Sequence, residues 1–259
     1  MKKLPLRAKV ETANAHIPSV WLRALPHVFT LAALVAGLTG VTAAIDGHLS
    51  QAIGCILLAG VLDACDGRIA RYVGTNSQFG AELDSLSDVI CFGAAPALVV
   101  YLWGMKDFGW LGWLTCITLT CATALRLARF NVAVSSPNKP SWSAAFFQGV
   151  PAPAGAFLSL LPIYLENAEL VSAQHAQMLA LFWLPVVAFL MFSTLPTFSG
   201  KLVSRVMSRA WLLLLLGALG ISVVVATQGV WTGLVMMVVG YLAILPLSLW
   251  RFLVLTSRG

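Results

Sequence analysis

Charged residues are scarce in this chain. Of its 259 residues only 10% are Asp, Glu, Lys or Arg, while 59% are hydrophobic. A soluble domain carries about 25% charged and about 45–50% apolar residues. The shortfall excludes a soluble globular domain and leaves a polytopic membrane protein. Long polar linkers are also lacking, so residues 1–259 are expected to form one domain behind a basic N-terminal tail, 1–25. The five cysteines, Cys55, Cys65, Cys91, Cys116 and Cys121, show no C-x-x-C or Cys/His spacing and fall in apolar runs. A disulfide framework and a zinc site are thereby excluded, and the thiols are expected as small buried hydrophobes. Lys2, Lys3, Arg7 and Lys9 have no apolar core directly behind them and no small-residue cleavage site. A cytosolic tail is expected there, not a cleaved signal peptide. The net charge of +6 does not call for nucleic acid. In a membrane protein it reflects Lys and Arg gathered in cytoplasmic loops, with attraction to anionic lipid as a second use.

What is present is apolar helix. A hydrocarbon core of ~30 Å takes about 20 apolar residues as helix. Eight spans meet that criterion, at roughly 26–46, 50–72, 83–103, 109–130, 149–165, 176–195, 210–227 and 230–250. The fifth is short and carries Pro151, Pro153 and Pro162, so it is expected to be kinked or partly interfacial. With the N-terminus inside, fifteen of the sixteen Lys and Arg residues lie on the inner side and only Lys106 outside. That asymmetry places both termini in the cytoplasm. The last two spans offer no chemistry.

The acids are few, and they gather. Asp63 and Asp66 stand three residues apart near the inner end of the second span, Asp84 and Asp88 four apart at the start of the third. Each pair shares a helical face. A short polar turn containing Gly74, Thr75, Asn76, Ser77 and Gln78 makes the two helices antiparallel, so the pairs face each other at the cytoplasmic surface. Like charges so close repel unless cations lie between them. Carboxylate oxygens suit magnesium, manganese or calcium, and two ions about 3.5–4 Å apart clamp a phosphoryl group. Gly67, Ala70 and Gly80 leave room for a ligand or for close helix packing. Arg71 can grip a phosphate and Ser77 can donate to it. Two other readings stand beside this one. The acids can form structural ion pairs, Asp66 with Arg71 or Glu82 with Arg68, or they can line a cation-transport path. A transport path calls for acids spread through the membrane depth, and these cluster at one end.

The pattern D-x2-D-G-x2-A-R-x8-G-x3-D-x3-D, met at Asp63, Asp66, Gly67, Ala70, Arg71, Gly80, Asp84 and Asp88, resembles the signature of the CDP-alcohol phosphotransferases. The resemblance implies an all-α membrane bundle that moves a phosphoryl-linked group from a CDP-linked donor to an alcohol, releasing CMP. It implies that Asp63, Asp66 and Asp84 ligate a divalent metal, Mg2+ or Mn2+. Asp88 would hold a second ion and act as general base. It further implies a homodimer. Pro26-His27-Val28-Phe29-Thr30 resembles the family's nucleotide-contacting P-N-x-x-T, with His27 where Asn is usual and Thr30 in register.

The stretches L-D-S-L-S-D-V-I-C-F-G-A-A-P-A at 83–97, A-L-R-L-A-R-F-N at 124–131 and F-Q-G-V-P-A-P-A at 147–154 look like the branch whose donor is CDP-diacylglycerol and whose acceptor is L-serine. The resemblance covers roughly 26–165. Within it, His27, Thr30, Gly67, Arg71, Ser77 and Gly80 are expected at the lipid nucleotide. Serine is a zwitterion and needs a cationic partner. Arg126 and Arg129 are candidates for its carboxylate and Asn131 for its amino group, although both arginines also fit as ordinary positive-inside anchors. The loop 135–148, with Pro137, Lys139 and Pro140, is a candidate cover for the cytoplasmic mouth. Other members of the family use choline, inositol or glycerol phosphate. A phosphorylated acceptor calls for a denser basic cluster than Arg126, Arg129 and Lys139 supply.

Overall fold

Backbone amides in hydrocarbon must be bonded within their own segment, so apolar runs of this length fold as helices. A computed structural model describes residues 20–73, 77–135, 146–193, 196–198 and 229–256. The expected seventh span at 210–227 lies outside these residues. So do the tail up to residue 19, the turn residues Gly74, Thr75 and Asn76, and the loop residues Pro137, Lys139 and Pro140.

The first helix, α1 (Val20–Ile45), begins before the expected end of the tail at residue 25. It turns back tightly into α2 (Leu49–Val73). Gly47, at φ +79°, makes the reversal possible. His48 N–H donates to the Ala43 carbonyl at 2.8 Å and Gly47 N–H to that of Ala44 at 3.2 Å, so the last carbonyls of α1 are satisfied by a Schellman-type end. The two helices pack along their length. A Cβ at Gly40 would stand 2.9 Å from the Ala52 carbonyl oxygen, so only glycine permits that approach.

The third span runs as one rod over Gln78–Trp103. It comprises α3 (Gln78–Asp88), a π-helical segment (Val89–Ala94) and α4 (Ala95–Trp103). The π segment is clamped from two sides. A Cβ at Gly37 of α1 would meet Cys91 Sγ at 2.9 Å, and one at Gly93 would meet Thr123 at 3.0 Å. The Thr120 hydroxyl donates to the Gly93 carbonyl at 3.2 Å, and the Cys91 thiol to that of Ala33 at 3.3 Å. Such a bulge inserts a residue into the helical phase and frequently adjoins a functional site. Here it directly follows Asp88.

A 3-10 turn (Met105–Phe108) leads into α5 (Gly109–Ser135). The expected fifth span is two short helices, α6 (Ala152–Ser159) and α7 (Leu161–Asn167), broken at Leu160. The break agrees with the kink expected of this proline-bearing segment: Pro162 has no N–H to continue the ladder. Then follow α8 (Ala173–Phe192) and α9 (Val230–Thr256). A departure from purely helical structure is a three-residue ribbon. Strand β1 (Phe146–Gln148) pairs antiparallel with β2 (Pro196–Phe198), with Phe147 opposite Thr197.

Among the described residues, four helices are long and apolar enough to cross a membrane: Leu25–Ile45, Gln78–Trp103, Met105–Ala133 and Ala173–Phe192. The protein is an integral membrane protein of helical-bundle architecture. At the end of the rod Trp103 Nε1 donates to Glu166 at 2.6 Å, tying α4 to α7. The core runs from Ala33 and Ile53 through Phe92, Val99 and Leu119 to Leu158, Leu184 and Val238.

Candidate active site

The packing of α1, α2 and α3 brings the motif together. Asp63 and Asp66 come from α2, Asp84 and Asp88 from α3. Asp63, Asp66 and Asp84 each offer an oxygen, and these atoms lie within 4.8 Å of one another. Asp88 and Asp84 are both within hydrogen-bonding reach of the Asp63 carboxylate. Asp66 is only 5% exposed, whereas the other three are half-buried. Three hard oxygen donors converging from two helices fit a divalent cation. The arrangement weighs against a transport path, because no string of acids continues through the membrane depth among the described residues. Of the two structural pairings, only that of Arg68 with Glu82 falls on described side chains, because the side chain of Arg71 lies outside them. Asp66 is held by a hydroxyl, and no ion pair joins Arg68 to Glu82 among the described residues.

That hydroxyl belongs to Thr30 of α1, whose Oγ1 lies 2.7 Å from Asp66 Oδ2 and 3.1 Å from the Pro26 carbonyl. The Gly67 backbone N–H supports the same carboxylate. Thr30 thus touches the acidic cluster. One turn away on α3, the Ser87 hydroxyl donates to the Thr30 carbonyl at 3.3 Å and fixes the rod against α1.

Two glycines of the motif separate in role. A Cβ at Gly67 would meet nothing within 4 Å, so open space lies over α2 there. A Cβ at Gly80 would stand 2.8 Å from His27 Cε1 and 3.1 Å from Ser77 Oγ. Gly80 therefore serves close approach of α3 to α1. Ser77 is the N-cap of α3, accepting from Gly80 N–H at 3.0 Å. Its expected contact with phosphate has this competing use. His27 stacks edge-on against Phe79, with centroids 5.6 Å apart. Arg71 lies in α2, and its side chain is outside the described residues.

The three residues expected at the acceptor are not together. Arg129 donates from Nη1 to the Phe192 carbonyl at 2.6 Å and from Nη2 to that of Ser193 at 2.9 Å. Its guanidinium also lies 5.4 Å over the Phe192 ring. It terminates α8, whose last carbonyls have no partners within the helix. Asn131 Nδ2 donates to Ser85 Oγ at 3.1 Å, tying α5 to α3 beside Asp84. Both thus have scaffold contacts that compete with the role expected of them at serine. Arg126 alone turns inward. It is 8% exposed, lies in electrostatic reach of Asp88, and has no hydrogen-bond partner for Nε among the described residues. Sequence reasoning missed a fourth group. Tyr241 of α9 is half-buried and lies in electrostatic reach of Arg126. A lone phenol within an otherwise aliphatic run was the available signal.

The family model for CDP-alcohol phosphatidyltransferase matches residues 23–192. A CDP-diacylglycerol–serine O-phosphatidyltransferase of Mycobacterium leprae is 39% identical over 150 residues, 57% of this chain and 50% of that protein. One of Helicobacter pylori is 33% identical over 170 residues, 66% of this chain and 70% of that protein. An archaetidylserine synthase of Methanothermobacter thermautotrophicus is 32% identical over 174 residues, 66% and 68% of the two chains. The chain spans about half the length of the mycobacterial relatives.

Proposed function

Because the chain belongs to the CDP-alcohol phosphatidyltransferase family, we propose that it transfers the phosphatidyl group of CDP-diacylglycerol to the hydroxyl of L-serine and releases CMP. The observation that carries the reaction type is the convergence of Asp63, Asp66 and Asp84 within 4.8 Å. The acceptor rests on Arg126. A buried guanidinium without a partner at Nε is costly, and an incoming carboxylate would relieve it. Relatives at 32–39% identity that bear serine-transferase names support the same acceptor.

Asp63, Asp66 and Asp84 would hold a divalent cation, with magnesium or manganese favoured by the all-oxygen donor set. Asp88 beside Asp63 adds a carboxylate for a second ion. Bound there, the cations would supply positive charge to the diphosphate and to the departing CMP. Thr30 orients Asp66 for that task. Gly67 leaves the space through which the nucleotide approaches α2, His27 and Gly80 shape the neighbouring wall, and Arg71 is assigned to phosphate. Ser77 sets the start of α3.

Asp88 accepts the proton of the serine hydroxyl. The freed oxygen pair forms a bond to the phosphorus that carries diacylglycerol, and the bond from that phosphorus to the CMP oxygen breaks. Arg126, next to Asp88, holds the serine carboxylate so that the hydroxyl lies at the base. Positioning of this kind supplies much of the rate in phosphoryl transfer.

The excess of Lys and Arg on one side supports a site and both termini at the cytoplasmic face of a bacterial-type inner membrane, in a single domain of about eight spans. A homodimer, implied by family resemblance, belongs to the same reading and is tested by cross-linking in membranes. The deciding experiment supplies purified protein with CDP-diacylglycerol, magnesium or manganese, and one alcohol at a time. CMP is expected with serine. Release with glycerol 3-phosphate and not with serine overturns the acceptor, and no release with any alcohol overturns the reaction.

A further inference from the structure

Asp88 is the last residue of α3, and the π segment Val89–Ala94 begins directly after it. In an α-helix five residues sweep about 500°, so a residue five back from Gly93 would lie about 140° around the axis from it. In a π turn the hydrogen bond spans five residues, and five residues make little more than one turn. Ala95 N–H accordingly donates to the Ile90 carbonyl, five residues back. The wide turn therefore brings Asp88 round toward the side of the rod that carries Gly93. That side meets α5. A Cβ at Gly93 would stand 3.0 Å from Thr123 Cβ and 3.2 Å from its Oγ1. The Thr120 hydroxyl closes the contact, donating to the Gly93 carbonyl at 3.2 Å. A short 3-10 turn joins the rod to α5, so the two run antiparallel. One turn from Gly93 back to Asp88 on the rod then corresponds to one turn from Thr123 on to Arg126 on α5. Helix α1 holds the rod as well. The Cys91 thiol donates to the Ala33 carbonyl and the Ser87 hydroxyl to that of Thr30, each at 3.3 Å.

We propose that Thr120 is a positioning residue for the transfer reaction: its hydroxyl latches the π turn to α5 and so sets the rotation at which Asp88 reaches the acceptor's hydroxyl. The inference rests on Asp88 as the base. The other threonines along this part of α5 are used differently. Thr118 returns its hydroxyl to the Thr115 carbonyl at 2.6 Å, and Thr123 returns its own to that of Leu119 at 2.8 Å. Both bonds stay within one helix, the ordinary use of threonine in an apolar helix. Thr120 instead donates to the backbone of a neighbouring helix, at the turn that follows the base. A general base must come within about 2.6–3.2 Å of the group whose proton it takes. A misplacement of about 1 Å, caused by a change away from the chemistry, can cost about 100-fold in rate. A bond that fixes helix rotation one turn from Asp88 therefore acts on turnover more than on binding.

The test uses full-length Thr120→Val, which keeps the branched shape and removes the hydroxyl. CMP release from CDP-diacylglycerol is measured with the alcohol that supports it in the wild type, serine on the present reading. The kcat is expected to fall about 10-fold or more, while the KM values for both substrates stay unchanged. Thr120→Ser should restore it. Thr118→Val, which loses a bond only within α5, should leave kcat near that of the wild type. In an Asp88→Asn background Thr120→Val should cause no further loss, because Thr120 acts through the carboxylate. Gly93→Ala, whose new Cβ presses the rod away from Thr123, is expected to lower kcat in the same way and stands in if Thr120→Val does not accumulate. An unchanged kcat in Thr120→Val, or an equal loss in Thr118→Val, overturns the role of Thr120 alone. So does a further loss of the same size in the Asp88→Asn background. Full activity in Asp88→Asn overturns the base and the role of Thr120 with it.

Discussion

Thr30 of α1 donates to Asp66 of α2 across 2.7 Å, so the helix before the motif holds one of the motif's acids in place. A hydrogen bond to a charged group contributes roughly 1.5–3 kcal/mol. Thr30→Val is therefore expected to raise the magnesium or manganese needed for half-maximal CMP release by about 10-fold or more. Thr30→Ser should restore it. Chelation should abolish activity in every variant, and metal titration provides the measurement. An unchanged metal requirement in Thr30→Val would sink the role of Thr30.

Asp88 stands beside Asp63 and faces Arg126. As the base it contributes about 10²–10⁴-fold, so Asp88→Asn should lose at least that much turnover. Binding of the CDP-lipid, followed by fluorescence or calorimetry, should remain measurable. Full activity in Asp88→Asn would remove the assignment.

The two motif glycines should respond differently to alanine. At Gly80 the new Cβ collides with His27, and overpacking of this kind costs about 1–3 kcal/mol. Gly80→Ala should lower the melting temperature, and His27→Asn in the same chain should recover part of the loss. At Gly67 the new Cβ meets open space. Gly67→Ala should leave the melting temperature unchanged while raising the KM for CDP-diacylglycerol. Equal thermal losses at the two positions would contradict this division.

Arg126 and Arg129 separate in the same way. Arg129→Gln removes the donors that close α8 and should cost about 1–3 kcal/mol of stability, with little change in the serine KM. Arg126→Gln should raise the serine KM by about 10-fold or more while leaving the melting temperature near that of the wild type or above it. Kinetics and thermal unfolding on the same preparations decide the matter.

The Ser85–Asn131 hydrogen bond is read as scaffold. Asn131→Ala should lower the stability by about 1 kcal/mol and reduce kcat, because Asp84 adjoins Ser85, without a selective effect on the serine KM. A rise in serine KM alone would return Asn131 to the acceptor site.

Much of the fold was legible because the bilayer imposes it. Lack of charge and runs of about 20 apolar residues admit helices and little else. The exceptions arose where packing intervened. The rod through Asp88 took a π turn between Gly37 and Thr123, whereas the break at Leu160 was foreshadowed by Pro162. No sequence period announces a π turn, because contacts from α1 and α5 hold it in place.

For the site, sequence alone determined the acids and their spacing. The helical period puts Asp63 with Asp66 and Asp84 with Asp88, and a short polar turn makes their helices neighbours. Tertiary structure decided everything that depends on which helix a face meets. Arg126 and Arg129 share a face in sequence, yet one turns toward Asp88 and the other closes α8. Asn131 meets Ser85, and Tyr241 arrives from a helix that reads as lipid-facing. The physical reason is that periodicity defines neighbours within a helix, whereas burial and hydrogen-bond partners are set between helices.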